Sequence, residues 1–449
     1  MATPSSTSTE QVLPIEVLKA IVYELDPSTQ AGRNALQTCA SAGRPLLSAS
    51  QRRLFQSTTV TFQLFTVGST KYLVEDGIAT GKKLLELLDG SPHLAPYIRS
   101  LKIVMQGVPG WSNLAVWSSE PSFPLRAILL KLPELQELSL SGPSARVNWR
   151  AFDPTIWEIL GEVAPKVTKL SVLNMMASVP TSFFLKYHRL QNLWVHSLDM
   201  ETTVQPATKL KIEGFRISLD DFVPGMNGNE TIFTAFNAPF CPFDFSRLRK
   251  LVITIRDLWN ANEILQSCCD TLESLEVQQP WVAYGSSWMN GYSYSKPNQD
   301  VEFFGLKTTL GIRSLHRLRN ITISCPIYDC DHGSYQTEIP YACAIIRNLP
   351  CQKHPSGTVL QAVVDVEIQG VFEQHLPSIR WEQLIGVNLP KEYLESNALE
   401  VHFRIINMHF VDLSSNRIRE ILDGNEYLAD MNHRGLITYS VWDDEELPS

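Results

Sequence analysis

A short phrase, Leu-x-x-Leu-x-Leu with Ile or Val in place of some Leu, returns along most of this chain and constrains its fold more than any other feature. It stands at Ile98-x-x-Leu101-x-Ile103, Leu135-x-x-Leu138-x-Leu140, Val167-x-x-Leu170-x-Val172 and Leu190-x-x-Leu193-x-Val195. It comes again at Leu248-x-x-Leu251-x-Ile253, Leu272-x-x-Leu275-x-Val277 and Leu318-x-x-Ile321-x-Ile323, with looser copies at Val366-x-Ile368 and Val401-x-Phe403-x-Ile405. Apolar residues two apart give a short strand with one face buried. Helix-like stretches fall between the copies, at Lys82–Leu88, Leu125–Leu132, Pro154–Val163, Ala261–Cys269, Tyr341–Leu349 and Arg417–Leu422. Strand and helix alternating at short range predict parallel strands, because parallel neighbours need a crossover.

The period selects among parallel folds. Candidate strands start near residues 101, 138, 170, 193, 210, 251, 275, 321, 366 and 399. Their spacing is looser than the roughly 20–29 residues of strict leucine-rich repeats, and a doubly wound sheet tolerates it too. The recurring phrase and the missing glycine-rich phosphate turn favour the repeat. The expected fold is therefore α/β: an irregular leucine-rich-repeat solenoid with parallel strands over residues 59–442. An acidic tail over 443–449 follows it.

Composition narrows the function. The chain has 449 residues, 44% of them hydrophobic, enough for a sizeable core. Its 38 Lys and Arg against 47 Asp and Glu give a net charge of −9, which argues against a phosphate backbone as partner. Eight cysteines are too sparse for a disulfide framework. No signal-peptide pattern opens the chain, and no run of about 18 apolar residues offers a membrane span. No membrane association is expected, and the expected compartment is reducing, cytoplasmic or nuclear.

Residues 1–10 carry six Ser or Thr and read as a disordered lead-in. The character then changes. Leu13-Pro14-Ile15-Glu16-Val17-Leu18 opens a helix whose apolar side runs through Val17, Leu18, Ile21 and Leu25, stopped by Asp26-Pro27. A second helix is expected over Asn34–Ala42 and a third from Pro45, carrying Leu46, Leu47, Leu54 and Phe55. Three such short helices over residues 11–58 make a small bundle that needs something to lean on.

Leu13-Pro14-x-Glu16-x-Leu18-x-x-Ile21, Leu36-x-x-Cys39-Ala40 and Gln51-Arg52-Arg53-Leu54-Phe55-Gln56-Ser57 resemble an F-box-like domain of the kind that opens many fungal proteins. Arg44-Pro45 stands where many F-boxes carry Trp. Leucine-rich repeats are the frequent companion of that domain. The resemblance implies a non-catalytic substrate-recognition subunit of a Skp–cullin–F-box ubiquitin ligase, with the F-box on a Skp-type adaptor and the repeats on a target protein. Leu13, Pro14, Ile15, Val17, Leu18 and Ile21 are the implied adaptor-binding residues, unless they form the bundle's own core instead. The competing expectation is a leucine-rich scaffold that binds a partner without recruiting a cullin.

Other motifs carry less. Trp281, Tyr284, Trp288, Tyr292 and Tyr294 lie in a Gly-, Ser- and Asn-rich stretch and are the candidate substrate-binding residues, since aromatics on polar loops often form binding hot spots. Trp111 and Trp117 sit in a similar setting. Cys325, Cys330, His332, Cys343, Cys351 and His354 approach zinc-ligand spacing without matching it. Gly77-x-x-x-Gly81-Lys82-Lys83 lacks both the spacing and the Ser or Thr of a phosphate loop. No Gly-x-Ser-x-Gly and no His-Glu-x-x-His occurs. No metal, cofactor or catalytic constellation is expected.

Overall fold

The repeated phrases become rungs of parallel ladders in the computed structural model of this chain. It describes residues 14–67, 70–73, 75–106, 124–142, 147–148, 154–173, 176–177, 179–196, 198, 200–201, 205–218, 236, 238–254, 261–278, 311–330, 334–337, 342, 345–346, 348–350, 359–369, 381, 399–407, 415–433 and 438–443. The chain divides into two compact units, residues 1–175 and 176–449.

The first unit begins with three helices: α1 (Ile15–Glu24), α2 (Gln30–Ala42) and α3 (Arg44–Phe55). Pro14 precedes α1, and its carbonyl accepts from the Val17 and Leu18 amides. Helix α2 starts four residues before the expected Asn34. Thr29 caps it, its hydroxyl accepting from the Gly32 amide at 3.0 Å, a local signal that apolar spacing does not carry. Val22, Leu36 and Ala49, one from each helix, form the centre, with Leu25, Cys39, Leu46 and Leu54 against it.

No linker separates this bundle from the sheet. Helix α3 runs into β1 (Ser57–Val67), which pairs antiparallel with β2 (Thr70–Leu73) and parallel with β3 (Ser100–Gln106). Beyond β3 lie β4 (Glu137–Ser141) and β5 (Lys169–Leu173), again parallel. Register stacks Leu101, Leu138 and Leu170 in one buried row and Ile103, Leu140 and Val172 in another. The connections carry α4 (Glu75–Gly90), α5 (Leu125–Lys131) and α6 (Pro154–Val163). The Gly77–Gly81 segment is thus part of a helix, not a phosphate loop.

In the second unit, β6 (Asn192–His196), β7 (Gly214–Ser218), β8 (Lys250–Thr254), β9 (Ser274–Gln278) and β10 (Asn320–Cys330) pair in chain order, all parallel. Strand β11 (Ser334–Thr337) folds back antiparallel on β10. The ladder continues from β10 through β12 (Leu360–Gln369) and β13 (Leu399–Asn407) to β14 (Thr438–Asp443). Helices α7 (Thr181–Leu185), α8 (Asn262–Ser267), α9 (Ser415–Asp423) and α10 (Glu426–His433) also belong to this unit. The fold is α/β, as the alternation predicts. Within each unit the parallel strands follow chain order, without the reversal of strand order that marks a doubly wound sheet.

One backbone device repeats along both ladders. The carbonyl just before a strand accepts two consecutive amides from the next turn of chain. Gln56 receives Arg99 and Ser100, Arg99 receives Gln136 and Glu137, and Gln136 receives Thr168 and Lys169. In the second unit Gln191, Glu213, Arg249 and Glu273 do the same. The device resolves one misplaced strand. The expected strand near 210 is only a two-residue bridge, Leu210–Lys211 with Phe243–Asp244, and the rung is β7. Leu210-x-Ile212 and Phe215-x-Ile217 alternate alike, but the Gln191 carbonyl takes the amides of Glu213 and Gly214 and so selects the second pair. β1, β2 and β14 are rungs the phrase does not mark.

Gly32 is buried where α2 meets the loop before it, and a Cβ there would overlap the Asp26 carbonyl oxygen. Gly→Ala inside a helix normally stabilises by up to ~1 kcal/mol. Here the sign reverses: Gly32→Ala is expected to cost on the order of 2–3 kcal/mol, because backbone must move. Thermal unfolding of the two proteins checks it; an unchanged or higher midpoint would contradict this packing.

Candidate functional sites

Two surfaces combine exposure with chemistry. The first is one flank of α1. At ~100° per residue, Val17, Ile21, Leu25, Leu18, Val22 and Ile15 fill an arc of roughly 160°, wider than a core-facing stripe requires. The centre of the bundle takes Val22, with Leu25 packed against it. Val17 and Ile21, one turn apart on the far flank, stay 43% and 49% exposed. Of the residues the F-box resemblance implies for an adaptor, Pro14, Val17 and Ile21 are therefore exposed, and Ile15 and Leu18 half-buried. Leu13 lies outside the described residues. The centre of the bundle thus includes Val22, which the apolar side read from the sequence passes over, and leaves out Val17 and Ile21.

The bundle is held rigidly beneath this flank. Arg53 Nε donates to the Leu25 carbonyl at 3.1 Å, tying the end of α1 to α3. The Arg52 guanidinium sits 5.5 Å over the Tyr97 ring, and Gln56 opens the ladder. Asp26 accepts from the Ser28 hydroxyl and amide, which holds its carboxyl below the usual carboxylate range and fixes the turn between α1 and α2.

The second surface is the polar face of the second unit's sheet. The residues between the buried Leu, Ile and Val positions line up in rows by register. One row runs Trp194, Arg216, Val252, Glu276, Thr322, Val363 and His402. Arg216 lies flat on Trp194, its guanidinium carbon 4.3 Å from the ring centroid, and donates through Nη2 to Gln278 Oε1 at 3.4 Å. Gln278 Nε2 in turn donates to Glu276. Two rungs on, Arg404 grips Asp365 with two hydrogen bonds of 2.7 and 2.5 Å, and Ser324 Oγ donates to Glu367 at 2.8 Å. The Asp365 hydrogen bonds raise the Arg404 guanidinium above its already high value, against partial burial. These residues carry the face's chemistry, and the sequence signal for Trp194, Glu276, Glu367 and Arg404 is their place as the x of a repeated phrase.

The sequence-predicted aromatics Trp281, Tyr284, Trp288, Tyr292 and Tyr294 lie outside the described residues, as do Trp111, Trp117, His332, Cys343, Cys351 and His354. Cys325 is fully buried among the strand side chains of the second unit. Among the described residues no group of three His, Cys, Asp or Glu could hold a metal ion. Burial pushes the Cys241 thiol up to about 11 and Cys268 up to about 12, far from the thiolate a metal or a nucleophile needs. A cavity of about 430 Å³ in this unit is lined by Phe236, Phe243, Phe245 and Ile264 together with Lys209, Asp244 and Glu263. No described helix is long and apolar enough to cross a membrane.

No protein-family model matches this chain, and no curated protein is significantly similar to it in sequence. The class that the geometry defines is an α/β protein of parallel ladders with an N-terminal three-helix bundle.

Asp365 is only 8% exposed and is gripped by Arg404 as its ion-pair partner. Arg404→Gln is expected to destabilise by about 2–3 kcal/mol, and Asp365→Asn combined with Arg404→Gln by clearly less than the sum of the two singles. Urea unfolding of the four proteins measures the coupling; additive losses would show that the pair does not act as a unit.

Proposed function

We propose that this chain is a non-catalytic substrate-recognition subunit of a Skp–cullin–F-box ubiquitin ligase. Residues 14–55 serve as the F-box that docks a Skp-type adaptor, and the strand ladders form an irregular leucine-rich-repeat solenoid that holds the target. The observation that carries the reading is the exposed Val17–Ile21 flank on a helix whose core work is done by Val22. Apolar side chains that the bundle does not need suit the groove of a helical partner. Strand order, register and the repeated carbonyl device support the solenoid. A bundle joined to the first unit's ladder through Gln56 suits a receptor, because tethering a bound target to the ligase raises its local concentration. The setting that goes with this function is the cytosol or nucleus, and the chemistry asks no cofactor of this chain.

The test is co-purification of the full-length chain with a Skp-type adaptor, beside Val17→Asp/Ile21→Asp. Both positions are exposed, so the variant should keep its fold to within about 1 kcal/mol. The wild type should give a stoichiometric complex, and the variant should lose at least about 30-fold in affinity, a hot-spot loss. Equal capture of both proteins, or of neither, would overturn adaptor docking and favour a scaffold that binds a partner without a cullin.

A further inference from the structure

Arg216 is the unusual group on the polar face of the second unit. A guanidinium carries a permanent charge and five N–H donors. Among the described residues Arg216 makes one hydrogen bond, the 3.4 Å contact with Gln278, and no carboxylate pairs with it. Its Nε and the indole Nε1 of Trp194 beneath it are both sealed from solvent without a partner. Two orphaned donors in one stacked pair are costly, each on the order of 1–3 kcal/mol. The arrangement fixes the plane of the cation and leaves Nη1 and the second N–H of Nη2 as the unspent donors.

Among the described residues no acid of the same face pairs directly with this charge. Asp365 is taken by Arg404 and Glu367 accepts from Ser324, while Glu276, two rungs from Arg216, is linked to it only through Gln278, which accepts from Arg216 and donates to Glu276. Asp365 and Glu367 stand four rungs from Arg216, about 19 Å at ~4.8 Å per strand, well past a screening length of about 8 Å.

We propose that Arg216, held on Trp194, is the specificity-determining cation for an acidic side chain, Asp or Glu, in an extended segment of the target protein. The carboxylate is received end-on by the two terminal nitrogens, with the indole as the floor. Charge selects the ligand: a single unpaired arginine matches a single carboxylate, whereas a phosphate of roughly −1.5 to −2 is usually met by clustered arginines. This inference rests on the reading of the chain as a target receptor.

The experiment uses immobilised peptide pools with degenerate flanks and a central Glu, Gln, Lys or phosphoserine. They are probed with full-length wild type, Arg216→Gln, Trp194→Phe and Lys102→Gln. Lys102 is an exposed rung residue of the first unit and serves as the control. The wild type and Lys102→Gln are expected to hold the Glu pool at least tenfold better than the Gln pool. Arg216→Gln should lose that preference, while Trp194→Phe, which keeps an aromatic floor but holds the guanidinium by a weaker cation–π contact, should weaken it several-fold. A wild type that holds Glu and Gln pools equally, a preference that survives Arg216→Gln, or tighter binding of the phosphoserine pool would each overturn the proposal. The same preparations are scored for capture of a Skp-type adaptor. Capture without a Glu preference overturns this inference alone; a Glu preference without capture overturns the ligase reading and leaves the site standing.

Discussion

The molecule depends on one small backbone arrangement: the carbonyl that, ahead of seven of the rungs, accepts two successive amides from the next turn of chain. It fixes where a strand begins, and a parallel strand that begins at a fixed residue has a fixed register. A slip of one residue would turn every Leu and Ile outward. With register set, Leu101, Leu138 and Leu170 fall into one buried row, and the intervening residues fall on the other face. The polar rows of the second unit, Trp194 to His402 among them, are the other product of the same constraint.

The first such carbonyl in the first unit belongs to Gln56, at the end of α3. The helical bundle is thereby the opening turn of a ladder, not a bead on a string. That placement bears on the proposed docking role. A bundle braced from below by Arg52, Arg53 and Gln56 can leave apolar side chains on its outer flank, because its own folding does not rest on them. Val22, Leu36 and Ala49 form its centre, while Val17 and Ile21 do not join it. Exposed apolar surface on a rigid element is the feature that binding uses well, since little ordering cost remains to be met.

Much of the fold was legible in the sequence, for a definite reason. The phrase Leu-x-x-Leu-x-Leu states both a turn contact and a strand alternation, and its copies at 101, 138, 170, 193, 251, 275 and 321 are all rungs. Where the phrase decays, the sequence misleads. Leu210-x-Ile212 imitates a rung beside the real one at Phe215-x-Ile217, and the pairing of β12 with β10 begins at Gln361-Ala362, whose alanine gives almost no apolar signal. β1, with its Ser-Thr-Thr start, is set by its pairing with β3 rather than by its own hydrophobicity. The candidate sites were legible in part. The Leu13–Leu25 helix could be found from its spacing, but which flank faces the core depends on α2 and α3. Arg216 and Trp194 are 22 residues apart, and only register brings them together. No local pattern could have paired them.

Hydrogen–deuterium exchange of the full-length chain, with and without a Skp-type adaptor, tests the central claim most directly. Slowed exchange on adaptor binding is predicted for the amides of α1 and the adjoining first turns of α3. The amides of β3 and β4, already locked in the ladder, should exchange as before. Unchanged exchange in α1 with the adaptor bound, or protection confined to the ladder strands, would contradict the account.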